Sequence, residues 1–312
     1  MMTGSTLHKK PLTTRIRERW QLYLLILLPL AFLILFDYVP LSGLVIAFKD
    51  YKPGMTIAEA EWVGMANFVK FFNSYKFTTI LKNTLTLSFY MLITFPIPIA
   101  FALMLNAMLG RYYKKLIQTV TYLPYFISTV IIVGIILQVL DERTGLYGNM
   151  YMLLTGNAAP SILANGESFR HLYVWSHVWQ TCGYNAVIYI AALTNVDQNL
   201  HEAAKIDGAS RLQRILYIDL PSILPTVSIM FILAIGGIMG VGAEKALLMQ
   251  NTLNLQYSEI ISTYEYKVGL SGMVGTDFSL STAIGMFNSV VNFTLLLIAN
   301  KVSKKLSGSG IV

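Results

Sequence analysis

The sequence predicts an all-α integral membrane protein with six transmembrane helices and both termini in the cytoplasm. Three observations carry the prediction. The 312 residues are 55% hydrophobic and only 12% charged, with a mean hydropathy of +0.58, which is too apolar for an ordinary soluble domain. Six stretches without Asp, Glu, Lys or Arg approach the roughly 20 apolar residues that a helix needs to cross a hydrocarbon core about 30 Å thick. Basic residues collect in alternate loops, as the positive-inside rule requires.

Residues 1–19 form a basic arm, with Lys9, Lys10, Arg15, Arg17 and Arg19 against Glu18. The apolar run after it is too long for a signal-peptide core and has no small-residue cleavage site, so it reads as a retained first span. That span, Trp20–Phe36, runs on past Asp37 through Tyr38–Phe48. The loop Lys49–Thr78 is aromatic (Tyr51, Trp62, Phe68, Phe71, Phe72, Tyr75, Phe77) and reads as a membrane-interface segment. Span two, Asn83–Gly110, contains Pro96 and Pro98, which should kink it. Span three is Leu116–Leu140. The next charge-free stretch, Thr144–Gly166, carries four Gly and Pro160. Irregular backbone facing lipid is costly, so this stretch reads as an extracytoplasmic loop with one short helix near Tyr147–Leu154. Span four is His171–Val196. Span five, Leu220–Ala243, holds Gly236, Gly237, Gly240 and Gly242 for close helix approach. Span six is Phe278–Asn300, preceded by a polar loop, Asn251–Gly275, expected to make outer contacts. The membrane domain covers residues 20–300, and 301–312 form a tail.

Arg111, Lys114 and Lys115 after span two, and Lys301, Lys304 and Lys305 in the tail, join the arm on the cytoplasmic side. The opposite loops are mixed or acidic, with Asp141, Glu142, Arg143 and Glu167, then Glu259, Glu265, Lys267 and Asp277. The net charge of +7 therefore reads as loops anchored to anionic lipid headgroups rather than as nucleic-acid binding. Cys182 is alone, so no intramolecular disulfide is possible. His8, His171, His177 and His201 are scattered without ligand partners, so no metal site is expected, and His177 reads as a bundle residue. There is no G-x-x-x-x-G-K-[ST] phosphate loop and no case for a catalytic triad. The chain is not expected to be an enzyme.

The segment of residues 195–221 is long and polar, yet helical in period. His201–Ile206 predicts a short helix with Asn199 as its cap, Asp207-Gly208 a turn, and Arg211–Ile218 a second helix, with Pro221 opening span five. A loop built as helix–turn–helix is a surface for something to dock on.

Glu202-Ala203-Ala204, then Gly208, Ile218 and Leu220-Pro221, stand at every fixed position of the 20-residue "EAA loop", and in this the chain resembles the permeases of ATP-driven (ABC) importers in bacteria. Asp207-Gly208-Ala209 resembles the carbohydrate-uptake branch. Asp37-Tyr38-Val39-Pro40, Ala47–Tyr51 and Thr282–Phe287 resemble LplB-like oligosaccharide permeases. The resemblance implies the type I importer permease fold in a bacterial cell membrane. It also implies that Glu202, Ala203, Ala204, Asp207, Gly208 and Ala209 form a coupling element. Its implied partners are a homologous second permease in a heterodimer, two ATPase subunits that bind ATP and Mg, an extracytoplasmic binding protein and an oligosaccharide.

Polar residues inside spans face the bundle or a watery path. Candidates for the solute path are Trp175, Trp179, Gln180, Tyr184 and Asn185 in span four, Glu244 beyond span five, and Asn288 and Asn292 in span six. Glu244 and Lys245 either pair with each other or flank the mouth of the path. The same machinery could carry a peptide, polyamine or phosphate. An ion-coupled carrier would need intramembrane carboxylates, which the six stretches lack.

Overall fold

The computed structural model describes residues 18–240, 242–270 and 275–307. His8, Lys9, Lys10, Arg15 and Arg17 of the arm, and residues 271–274 of the outer loop, lie outside them. All six apolar stretches are helical. Among the described residues, four helices are long and apolar enough to cross a membrane: Trp20–Phe48, Phe77–Ala107, Arg211–Gly236 and Phe278–Lys305.

The first begins with α1, Trp20–Leu33, and continues through a π-turn and a 3-10 segment to Phe48. No residue of α1 is buried. A two-stranded hairpin follows, β1 (Lys49–Asp50) pairing antiparallel with β2 (Glu61–Trp62), then α2 (Ala66–Phe72). The aromatics of this loop divide: Trp62, Phe72 and Tyr75 are exposed, whereas Phe68 and Phe71 are buried. Phe71 is fully buried, its ring 5.1 Å from Phe77 and 5.6 Å from Phe287 of the last helix. The second span is α3 (Phe77–Thr94) and α4 (Pro96–Ala107), interrupted at Phe95 because Pro96 supplies no N–H to continue the ladder.

Span three departs from the prediction. Instead of one helix, α5 (Arg111–Tyr122) and α6 (Thr129–Val139) meet at 97° through a tight 3-10 turn, Leu123–Phe126. Pro124 stands in that turn, and extended Ser128 restarts the helix by accepting from Ile131 N at 3.4 Å. Only if this bent pair counts as one span does the number of apolar crossings reach five. The short helix foreseen in the next loop is present as α7, Leu146–Thr155.

Span four is α8, Gly166–Leu193, whose 28 residues reach about 42 Å but carry many polar groups. It is the hub of the bundle. Ala186, Tyr189 and Leu193 pack with Ile99, Ala102 and Leu103 of α4, while Phe169, Tyr173 and Val174 pack with Leu87 of α3 and Val133 of α6. Lipid tails are as apolar as Leu, so close packing rather than water expulsion holds such helices together. A Cβ on Gly183 would come within 2.2 Å of the Thr121 carbonyl oxygen of α5. Gly183→Leu should therefore cost about 1–3 kcal/mol by overpacking, read as earlier thermal unfolding of the detergent-solubilised chain.

After α8 come α9 (Gln198–Ile206) and α10 (Arg211–Arg214), then a π-turn, Ile215–Asp219, that leads directly into α11, Leu220–Gly236. Pro221 stands in the first turn of α11, as expected, yet Arg211–Gly236 is continuous, and the wider π-turn accommodates the proline's missing donor. Span five also ends earlier than predicted. Gly237 and the 3-10 turn Ile238–Gly240 break it before α12, Ala243–Met249. The freed backbone is satisfied from three helices: Ser88 donates to Ile238 O (2.5 Å), Asn292 accepts from Met239 N (2.9 Å), and Tyr173 donates to Gly242 O (3.1 Å). The outer loop folds back as α13 (Leu255–Ser258) and α14 (Ile261–Gly269) against the final helix α15, Phe278–Ser307, with Ile261 and Tyr264 packed on Leu280 and Ile284.

Candidate functional site

The 195–221 loop presents its first helix to the outside. Asp197, not Asn199, caps α9, its carboxylate accepting from Asn199 N at 2.9 Å. Asp197 stands just before the first turn and satisfies the backbone donor of the second helical residue, Asn199. The helix ends on Gly208 at φ +79°, with Ala209 N donating to Ala204 O (2.8 Å) and Asp207 N to Ala203 O (3.0 Å). This is the left-handed termination that glycine permits without steric cost. Ser210 then starts α10 with a capping box: Gln213 Oε1 accepts from Ser210 N at 2.7 Å.

No residue of α9 is buried, and Glu202, Ala203, Asp207 and Gly208 are exposed. Apolar side chains stand out beside them: Ile206 is 87% exposed, Tyr217 78% and Leu212 64%. An apolar patch rimmed by charge marks an interaction surface. A side-chain hydrogen bond ties this surface to the bundle. His201 Nε2 lies 3.1 Å from Oδ1 of Asp219, a buried carboxylate at the root of span five. The two are 18 positions apart, so nothing in the local sequence pattern announced the pair.

The candidate path residues divide. Asn185 lines a cavity of about 300 Å³ enclosed by α3, α4, α8 and α11, together with Ser88, Thr94, His177, Thr181 and the broken backbone at Gly237. Trp175 and Trp179 share a face, as their spacing predicts, and line a separate groove of about 560 Å³ with His171 and Leu172. Trp175 Nε1 donates to the Tyr90 hydroxyl (2.8 Å), which is paired with His171 Nδ1 (2.7 Å). Tyr184 stacks on Tyr125 at 3.8 Å. Gln180 is buried and donates to Ile127 O at the α5–α6 bend (3.4 Å), so it props the bend rather than lining a cavity. Asn292 likewise serves the span-five break, and Asn288 Oδ1 is buried without a partner. Glu244 is exposed, Lys245 is buried, and no hydrogen bond or ion pair joins them. Ser88, Thr94, Thr181 and His177 were not among the path candidates, although small polar residues within apolar runs were the available signal. Among the described residues no three His, Cys, Asp or Glu side chains cluster to hold a metal.

The family model described as "Binding-protein-dependent transport system inner membrane component" matches residues 93–308. The polygalacturonan/rhamnogalacturonan transport system permease protein YteP of Bacillus subtilis is 39% identical over 97% of this chain and 94% of its own length. Protein LplB of the same organism is also 39% identical, over 95% and 92%. Among solved structures, a chain in the crystal structure of a bacterial alginate ABC transporter, in complex with alginate pentasaccharide-bound periplasmic protein, aligns with a TM-score of 0.86 at 36% identity. That alignment covers 96% of this chain and 99% of the other.

Proposed function

Because the chain belongs to the family of binding-protein-dependent transport system inner membrane components, we propose that it is one membrane half of an ATP-driven importer bringing an oligosaccharide into a bacterial cell. The observation that carries this reading is the exposed helix α9, ended by left-handed Gly208 and followed after a short turn by α10, which runs into span five without a break. A partner that seizes α9 has a rigid lever on the wall of the 300 Å³ cavity, since α11 contributes Met230, Leu233 and Gly237 to it.

In this reading two ATPase subunits, which hold ATP and Mg, dock at Glu202–Ala209, and their closure rocks span five. A second, homologous permease completes the channel. An extracytoplasmic binding protein delivers the cargo, which passes Asn185 and the exposed indoles of Trp175 and Trp179, flat faces suited to sugar rings. Six crossings with both termini cytoplasmic follow if α8 and the bent α5–α6 pair each cross the membrane. The polysaccharides named for YteP and for the alginate transporter support a saccharide cargo.

The test is reconstitution in proteoliposomes with the second permease, the ATPases and the binding protein. Oligosaccharide uptake should stop when either ATP or the binding protein is omitted. Uptake that persists without ATP but collapses with an ion gradient would overturn the reading in favour of a carrier.

A further inference from the structure

We propose that Arg170 and Lys245 form a cationic track beside the 300 Å³ cavity that takes the carboxylates of the cargo, so that the oligosaccharide is an acidic one; this rests on the reading of the chain as an oligosaccharide permease. Lys245, on α12, is only 4% exposed, and its Nζ has no hydrogen-bond partner among the described residues. Its one partner among the described residues is the face of Tyr173, whose ring centroid lies 5.4 Å away. Arg170 is similarly under-satisfied. Its Nη2 donates to Asn83 Oδ1 at 3.1 Å and its guanidinium lies 5.3 Å from the centre of the Tyr257 ring, but its buried Nε is unpartnered.

Both cations address one stripe of α8. Arg170, Tyr173 and His177 follow at spacings of three and four, so they share a helix face. His177 lines the cavity, and Tyr173 carries Lys245 one turn farther out. The track therefore leads from the start of α8 to the cavity wall.

A buried cation without a counter-charge is costly in any low-dielectric setting, and at membrane depth it marks a functional site. Among the described residues, no carboxylate forms an ion pair with Arg170 or Lys245. Glu244 is exposed, and Glu259 is already shared between Lys76 (2.9 Å) and Lys267 (3.2 Å). No acidic residue lines the cavity. A sugar carboxylate passing along this stripe of α8 meets two cations, and no acidic side chain at the cavity wall.

The experiment uses the complete reconstituted transporter, with pentagalacturonate and galactopentaose as probes. Wild type should take up pentagalacturonate. Lys245→Met should lower that uptake by about tenfold or more while Lys245→Arg retains most of it, with basal ATP hydrolysis and subunit assembly unchanged in both variants. Any uptake of the neutral pentamer should stay within about twofold of wild type, because its recognition does not use the charge. Three results would overturn the proposal: wild type carrying only the neutral pentamer, Lys245→Met matching wild type on the acidic one, or equal loss with both probes through failed pairing with the second permease. Wild type moving neither probe with ATP and binding protein present would sink the oligosaccharide reading itself, and this proposal with it.

Discussion

Replacing Glu202 by Lys, or Gly208 by Trp, is expected to cut ATP-driven uptake by about 30-fold or more while leaving the chain inserted in the membrane. That is the scale of losing a central contact of a docking surface. Neither change crowds the chain itself. Glu202 is exposed, and a Cβ on Gly208 would meet no atom within 4 Å. The intrinsic penalty at Gly208 is conformational, since φ +79° costs an L-residue about 1–2 kcal/mol. Gly208→Ala therefore separates the two effects: it carries the backbone cost with little bulk and should lose far less uptake than the Trp variant. The measurement pairs uptake with co-purification of the ATPase subunits. Variants that retain the ATPase at wild-type levels would show that docking does not use this helix.

The second large effect is expected at His201. His201→Ala leaves the Asp219 carboxylate buried without its partner, a cost of about 1–3 kcal/mol. The exposed docking residues are untouched, so the ATPase should still bind and still hydrolyse ATP. Transport should nevertheless fall severalfold, because α9, none of whose residues is buried, would no longer be clamped to the root of span five. The exchange variant, His201→Asp with Asp219→His, should recover a substantial part of the coupling, which a purely local packing role would not predict. Single variants that transport at wild-type rates would remove the clamp from the mechanism.

These expectations rest on features of very different legibility. The apolar stretches were plain because lipid demands length and the absence of charge, and each one is mainly helical, though not each is a single helix. Gly208 was equally plain, because Asp-Gly after a helical run has few other uses. The bend at Leu123–Phe126 was hidden: Pro124 lies in an uninterrupted apolar run, like the prolines of span two that bend their helix far less. The glycines after span five spoke for close approach, and Gly236 does lie against Leu296. That the later glycines end the helix depended on Ser88, Asn292 and Tyr173 arriving from three other helices to satisfy the freed backbone. Of the path candidates, Asn185 reached the 300 Å³ cavity, whereas Gln180 and Asn292 were taken by backbone partners. A polar side chain within a span announces that it needs a partner, but not which one.

The first helix shows what happens to residues that have no neighbours. With nothing buried between Trp20 and Leu33, no side chain there has a shape to match within this chain, so the chain's own packing asks of its letters only that they be apolar. Leu, Ile, Phe and Val should be nearly interchangeable along it, while the same exchanges at Ile80 or Leu87, both fully enclosed, would be felt at once. Divergence between related chains should therefore run fastest in a segment that is indispensable as a greasy rod and indifferent as a text.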